Sequence, residues 1–265
     1  MTARPTRFPE LNDVLAELVA SVRGVLDENV CGTYLQGSFA VGGADEHSDV
    51  DFVVVTHGAL SAEQFAALDA MHGRLYALEV PWAQHLEGSY ITADLLRRVD
   101  PSQSPLPYLD NGASRLVWDD HCNTAIVRWS LREHGVVLAG PDPHTLVEPV
   151  SAAQLRSEAL AALPKYAAWA PEPTRAGPMS RWKQAYLVVT VCRLLQTLET
   201  GTVVSKHDAA EWAKGALDPR WAALIQRADD DRPDPWLRVY QPAAGEAIDR
   251  TLAFVEYGLD VSAAR

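Results

Sequence analysis

The sequence predicts an α/β protein, with a small mixed sheet within residues 1–145 and an α-helical bundle over 146–265. Three observations carry this. Short apolar, valine-rich runs of strand length fall in the first half. Apolar residues recur at helical spacing through the second half, and Gly and Pro residues cut that half into segments. A chain of 265 residues can form two modest domains, each burying its own core.

Taken in order, Leu11, Val14, Leu15, Leu18, Val19, Val22 and Leu26 lie at helical spacing, so residues 9–27 form an amphipathic helix. A short strand over 33–36 ends at Gly37, and a turn or short helix over 38–45 leads to a valine-rich strand at 50–56. Residues 61–79 read as a helix opened by Ser61, with Gln64 three residues on as its capping-box partner. A third strand is expected at 85–91 and a fourth at 115–118. From Cys122 onward the pattern is helical, in segments near 122–134, 151–169, 180–200, 206–217, 219–230 and 242–258. The breaks are Gly140-Pro141, residues 171–178, Gly201 and residues 232–235. A cleft between two such domains is a usual place for a small-molecule site.

Lys and Arg number 23 against 35 Asp and Glu, a formal charge of -12. Such a surface repels phosphate backbones and draws in polycationic small molecules. Cys31, Cys122 and Cys192 are odd in number and far apart, which fits no disulfide framework or zinc pattern and points to a reducing compartment. Met1 to Glu10 lacks a signal-peptide core, and no apolar run approaches the ~20 residues of a membrane span. The expectation is a cytoplasmic monomer that engages neither nucleic acid nor membrane.

One stretch carries chemistry: Gly37-Ser38, two further glycines at Gly42-Gly43, then Ser48-Asp49-Val50-Asp51 leading into the apolar strand. Asp49 and Asp51 are two apart on a strand, so both carboxylates face one way. Paired carboxylates make an oxygen-rich site for Mg²⁺, which also takes oxygens from a substrate phosphate. Gly37 permits close backbone approach to a polyphosphate, and the Ser38 hydroxyl adds a donor. Together they equip the chain for nucleotidyl transfer with displacement of pyrophosphate.

This pattern resembles the signature of the DNA-polymerase-β-like nucleotidyltransferase superfamily. The resemblance implies an N-terminal nucleotidyltransferase domain, ATP and Mg²⁺ as substrate and cofactor, and a third carboxylate from a neighbouring strand. Glu87, inside a predicted strand, is preferred to Glu79, which closes a predicted helix ahead of Pro81. Its role would be metal ligand, general base, or both. Further on, an arginine-bearing helix at 190–195, the Thr200-Gly201 break and Ser205-Lys206-His207-Asp208-Ala209-Ala210 are similar to the C-terminal helical domain of the streptomycin/spectinomycin adenylyltransferases. Residues 131–140 also look like the element joining that family's two domains.

By this resemblance Lys206 binds the ATP phosphates, a point charge at a helix start suiting that task. Arg193 is either a second such cation or an ion-pair partner. The acceptor implied is a small-molecule hydroxyl, an aminoglycoside or aminocyclitol. There is a departure: where the family holds an antibiotic-binding acid, this chain reads Ser180-Arg181-Trp182-Lys183-Gln184, two bases and no acid. Trp118 is the counterpart of the family's substrate-contacting tryptophan, and Asp119 and Asp120 beside it either replace the missing acid or cap a turn. His121-Cys122 reads as structural, and Asp229-Asp230-Asp231 as a solvated helix end. The alternatives are a protein-modifying nucleotidyltransferase of a toxin–antitoxin type and a non-catalytic nucleotide-binding regulator.

Overall fold

In the computed structural model, residues 4–264 are described, and the chain divides into two compact units. The first runs to Ala44 and from Ser48 to Val150; the second takes residues 45–47 and the chain from Ser151 onward.

The first unit holds α1 (Pro9–Leu26), β1 (Val30–Leu35), α2 (Gly37–Val41), β2 (Val50–Thr56), α3 (Ala62–Tyr76), β3 (Leu86–Thr92), α4 (Ala93–Leu96), β4 (Leu106–Leu109), β5 (Leu116–Asp119), α5 (Ala125–His134) and β6 (Val136–Ala139). Its described strands form one sheet in the order β5-β4-β3-β2-β1-β6. β2 and β3 run parallel, joined through α3, and the other neighbours are antiparallel. A parallel pair needs a crossover of this length, which the capped helix at Ser61 supplies.

Alternation along the strands divides the residues between two faces. Leu35, Val50, Phe52, Val54, Leu86 and Leu109 pack under α1 and α3, against Leu15, Leu18, Leu68 and Met71. Tyr34, Val53, Val55, Ile91 and Leu106 form a second cluster with Leu96 and Leu131 on the opposite face. Asp51, Glu87 and Tyr108 share the parity of this second set. Neither β4 nor β6 is expected from the sequence. Each has four residues, Pro107 interrupts the strand signal of β4, and β6 is a half-exposed edge.

The second unit is helical: α6 (Ala152–Trp169), α7 (Arg181–Thr200), α8 (Lys206–Ala216), α9 (Ala222–Asp230), α10 (Pro235–Arg238) and α11 (Gly245–Ala263). α7 is its axis, buried at most positions between Lys183 and Thr197 and packed by α6, α8, α9 and α11. Serine caps open three of these helices, at Ser151, Ser180 and Ser205. Gly201 closes α7 at φ +70°, where a Cβ would also strike Ala152.

In the acidic run 229–231 only Asp230 is exposed as a solvated helix end would be. The Asp229 and Asp231 side chains are 9% and 14% exposed. Asp231 pairs with Arg181 and Arg238, and Asp229 with His207 and Arg232. Arg181 and Arg238 reach Asp231 from other segments, a pairing that sequence spacing alone does not show. No helix among the described residues is long and apolar enough to cross a membrane.

Candidate active site

The turn from β1 to α2 is built around Asp51. The Gln36 amide donates to the Asp51 carbonyl at 2.9 Å, tying the end of β1 to the start of β2. Gly37 follows at φ +58°, and a Cβ placed on it would lie 1.9 Å from Asp51 Oδ2. Both the left-handed backbone and the carboxylate's position therefore require glycine here. The next residue, Ser38, holds its Oγ buried with no hydrogen-bond partner among the described residues. A buried orphan hydroxyl is costly unless something else satisfies it, which marks Ser38 as a donor waiting for a ligand.

Asp49 stands just before β2 rather than within it. Asp51 lies in β2, directly across from Glu87 of β3 in the parallel register. Of the two candidates for a third carboxylate, Glu87 is the one that faces Asp51; Glu79 is exposed in the loop after α3. The Glu87 side chain is 12% exposed. Its Oε1 accepts a 2.7 Å hydrogen bond from the Tyr108 hydroxyl, and His121 Nε2 stands 3.4 Å from the same oxygen. Burial pushes the Glu87 carboxyl up to about 6, the charge of Asp49 adds to this, and the Tyr108 hydrogen bond opposes it. A carboxyl held near neutrality within an acidic group is suited to taking a proton from an incoming hydroxyl.

These residues fit a magnesium–nucleotide complex. Their donors are all oxygens, and Ser38 offers an unsatisfied hydroxyl beside them. Mg²⁺ is ordinarily held by one or two carboxylates plus phosphate oxygens and water rather than by an all-protein cage. The one tight grouping found among the described residues lies elsewhere: His207, Glu211 and Asp229 bring ligand atoms within 4.8 Å of one another. Lys214 already pairs with Glu211 and Arg232 with Asp229, so the charge there is matched by protein cations.

Trp118 is placed apart from the acids. On β5 it has the parity of Leu116, toward α1 and α3, and it stacks on Phe65 with ring centroids 5.7 Å apart. Asp119 has the opposite parity, shared with Asp51 and Glu87. Its Oδ1 accepts the His121 amide at 2.8 Å, so it shapes the turn that carries His121 to Glu87. Asp120 is exposed, and its carbonyl accepts the Asn123 amide. Sequence reasoning missed Tyr108 and took His121-Cys122 as merely structural. Only the pairing of β4 with β3 brings Tyr108 beside Glu87.

In the helical unit, Lys206 opens α8 half-buried, with its ammonium 5.9 Å from the centre of the Tyr186 ring. Neither Lys206 nor the half-buried Arg193 has a carboxylate partner among the described residues. The two bases at the missing-acid stretch are occupied. Lys183 is buried, donates to the carbonyls of Trp169 (2.7 Å) and Glu172 (2.6 Å), and lies over the Trp169 ring. Arg181 bonds Asp231 and Gln241.

Comparison with known proteins adds an independent view. Residues 145–236 match the family model for the aminoglycoside adenylyltransferase C-terminal domain. The chain is 24% identical over 227 residues to a spectinomycin 9-adenylyltransferase of Staphylococcus aureus, covering 78% of this chain and 79% of that one. It is 26% identical over 241 residues to an aminoglycoside (3'') (9) adenylyltransferase of Shigella flexneri, covering 85% and 86%. Among solved structures, a spectinomycin adenyltransferase from Enterococcus faecialis with ATP and spectinomycin superposes with a TM-score of 0.71. It covers 94% of this chain and 98% of its own at 14% identity, a likeness of fold. The chain thus resembles the aminoglycoside adenylyltransferases along most of its length.

Proposed function

We propose that the chain is an adenylyltransferase, using ATP with Mg²⁺ to transfer AMP to a hydroxyl of an aminoglycoside or aminocyclitol antibiotic. The observation that carries this reading is the β2–β3 pairing: Asp51 faces Glu87 with Gly37 packed against the Asp51 carboxylate. The similarity to enzymes named for this transfer supports the same conclusion.

In this mechanism Glu87 takes the proton of the acceptor hydroxyl. The hydroxyl oxygen forms a bond to the α-phosphorus of ATP as the bond from that phosphorus to the bridging oxygen breaks, and pyrophosphate leaves. Gly37 allows the triphosphate to approach the backbone, and Ser38 donates to a phosphate oxygen. Asp49, Asp51 and Glu87 would hold magnesium, which would supply positive charge against the triphosphate when bound. Lys206 is assigned to the phosphates as a point charge that no carboxylate claims. Acceptor recognition falls to Asp119 and Asp120, since the bases at 181 and 183 have partners of their own and supply no acid. A cationic acceptor needs a carboxylate when its ammonium or guanidinium is taken from water. Trp118, turned toward α3, is left as a peripheral contact.

The test is pyrophosphate release from ATP with streptomycin or spectinomycin as acceptor. Asp49→Asn is expected to lower turnover roughly a thousandfold, the scale of losing a preorganised electrostatic group. Near-normal turnover in that variant, or no release with either antibiotic, overturns the proposal.

A further inference from the structure

The geometry points to Tyr108 as a positioning residue that holds Glu87 by one oxygen and leaves the other for the acceptor hydroxyl. This rests on the reading of Glu87 as base proposed above.

Tyr108 is 5% exposed on β4, and Ser89 of β3 lies opposite it. From there its hydroxyl reaches two residues along β3, on the same face, to Glu87 Oε1 at 2.7 Å. Asp110 Oδ1 stands 3.1 Å from the same hydroxyl. A phenol has one proton to donate, so the shorter contact to Glu87 takes it. His121 Nε2, 3.4 Å away, approaches that same Oε1. Its ring leans on the Tyr108 ring at a centroid separation of 5.5 Å. Both neighbours thus engage Oε1. Oε2 accepts no hydrogen bond from the described residues and is not fully enclosed, in a side chain that is 12% exposed.

This arrangement removes the freedom of a carboxylate to rotate. Glutamate has three rotatable bonds, and in a half-open site it samples several orientations. Anchoring Oε1 through a short bond from a rigid aromatic on the neighbouring strand selects one of them. Outer groups that orient a reacting group commonly contribute about tenfold to a hundredfold to activity. The role is absent from the sequence motif because Tyr108 lies 21 residues from Glu87 and meets it only through strand pairing.

The experiment compares the wild type with Tyr108→Phe, Glu87→Gln and the double variant. Pyrophosphate release is followed with whichever of spectinomycin and streptomycin the wild type turns over. Tyr108→Phe keeps the ring, its packing on His121 and its backbone pairing. It is expected to lower kcat by about tenfold to a hundredfold, with KM for ATP within about twofold. Because the hydroxyl acts through Glu87, the double variant should be no slower than Glu87→Gln alone; a general structural loss would instead multiply the two effects. Normal kcat in Tyr108→Phe beside an inactive Glu87→Gln overturns the inference and leaves the proposed function standing, as does multiplication in the double variant. Normal turnover in Glu87→Gln, or no turnover of either antibiotic by the wild type, overturns both.

Discussion

The two units treat buried acid in opposite ways. In the helical unit, Asp229 and Asp231 are withdrawn from water, and each meets arginine: Arg232 for the first, Arg181 and Arg238 for the second. In the sheet unit, Glu87 is as deeply withdrawn, yet its closest partner is the neutral Tyr108 hydroxyl, with His121 at 3.4 Å and the charge of Asp49 nearby. No Lys or Arg pairs with Glu87 among the described residues. Negative charge that the fold neutralises serves the fold. Negative charge concentrated without an arginine or lysine beside Glu87 destabilises the folded protein and is available to a cationic partner. The cations follow the same division: Lys183 is satisfied by carbonyls, while Lys206 has only an aromatic face nearby.

Substitutions can break or sharpen this contrast. The largest effect in the sheet unit beyond the acids themselves is expected from Gly37→Ala. A Cβ 1.9 Å from Asp51 Oδ2 must displace the carboxylate, and AMP transfer should fall by roughly a hundredfold or more in a turnover assay. In the helical unit, Asp231→Ala leaves Arg181 and Arg238 facing each other without an acid. Thermal or denaturant unfolding should show a loss of roughly 2–3 kcal/mol, less than for a fully enclosed pair because Arg181 is partly exposed.

Glu87→Gln should act in the reverse direction on stability. The folded carboxyl is raised to about 6 from 4.5, so its contribution is complete below the unfolded value and is lost as pH rises through the folded one. At pH 8, without nucleotide or metal, the variant should therefore be more stable than wild type by about 2 kcal/mol. That advantage should vanish by about pH 4, and melting curves across the range would show it. An Asp231→Asn variant gaining stability in the same way would erase the contrast between the units. The smallest effect is expected at Lys206→Gln: KM for ATP should rise roughly tenfold while melting temperature stays near wild type, as for an unpaired surface-reaching charge. A large drop in stability would instead give Lys206 a structural task.

Much of the site is legible in sequence because it is local. Gly37, Ser38, Asp49 and Asp51 sit within 15 residues, where the β-strand period and the tolerance of glycine for left-handed backbone fix what each can do. Glu87 is legible more weakly, through its expected strand. Tyr108 and His121 are not legible. Tyr108 lies on a four-residue strand disguised by Pro107, and His121 follows a turn shaped by Asp119. Trp118 shows the limit from the other side. A position matched by resemblance to the family's tryptophan falls on the opposite face of the sheet, since one residue of register decides the side.

The sequence by itself determined the fold class, the helices of the second half, their breaks at Gly140-Pro141 and Gly201, and the acid motif. Each is a matter of periodicity, capping or local backbone conformation within a few turns or strand lengths. Tertiary structure decided which buried acids meet an arginine and which meet a phenol. Asp231 is paired by Arg181, which lies 50 residues away, and the Glu87 carboxyl is raised by burial and by the charge of Asp49 at the start of the neighbouring strand. Electrostatic environment depends on distance in space and on exclusion of water, and both exist only once the chain has folded.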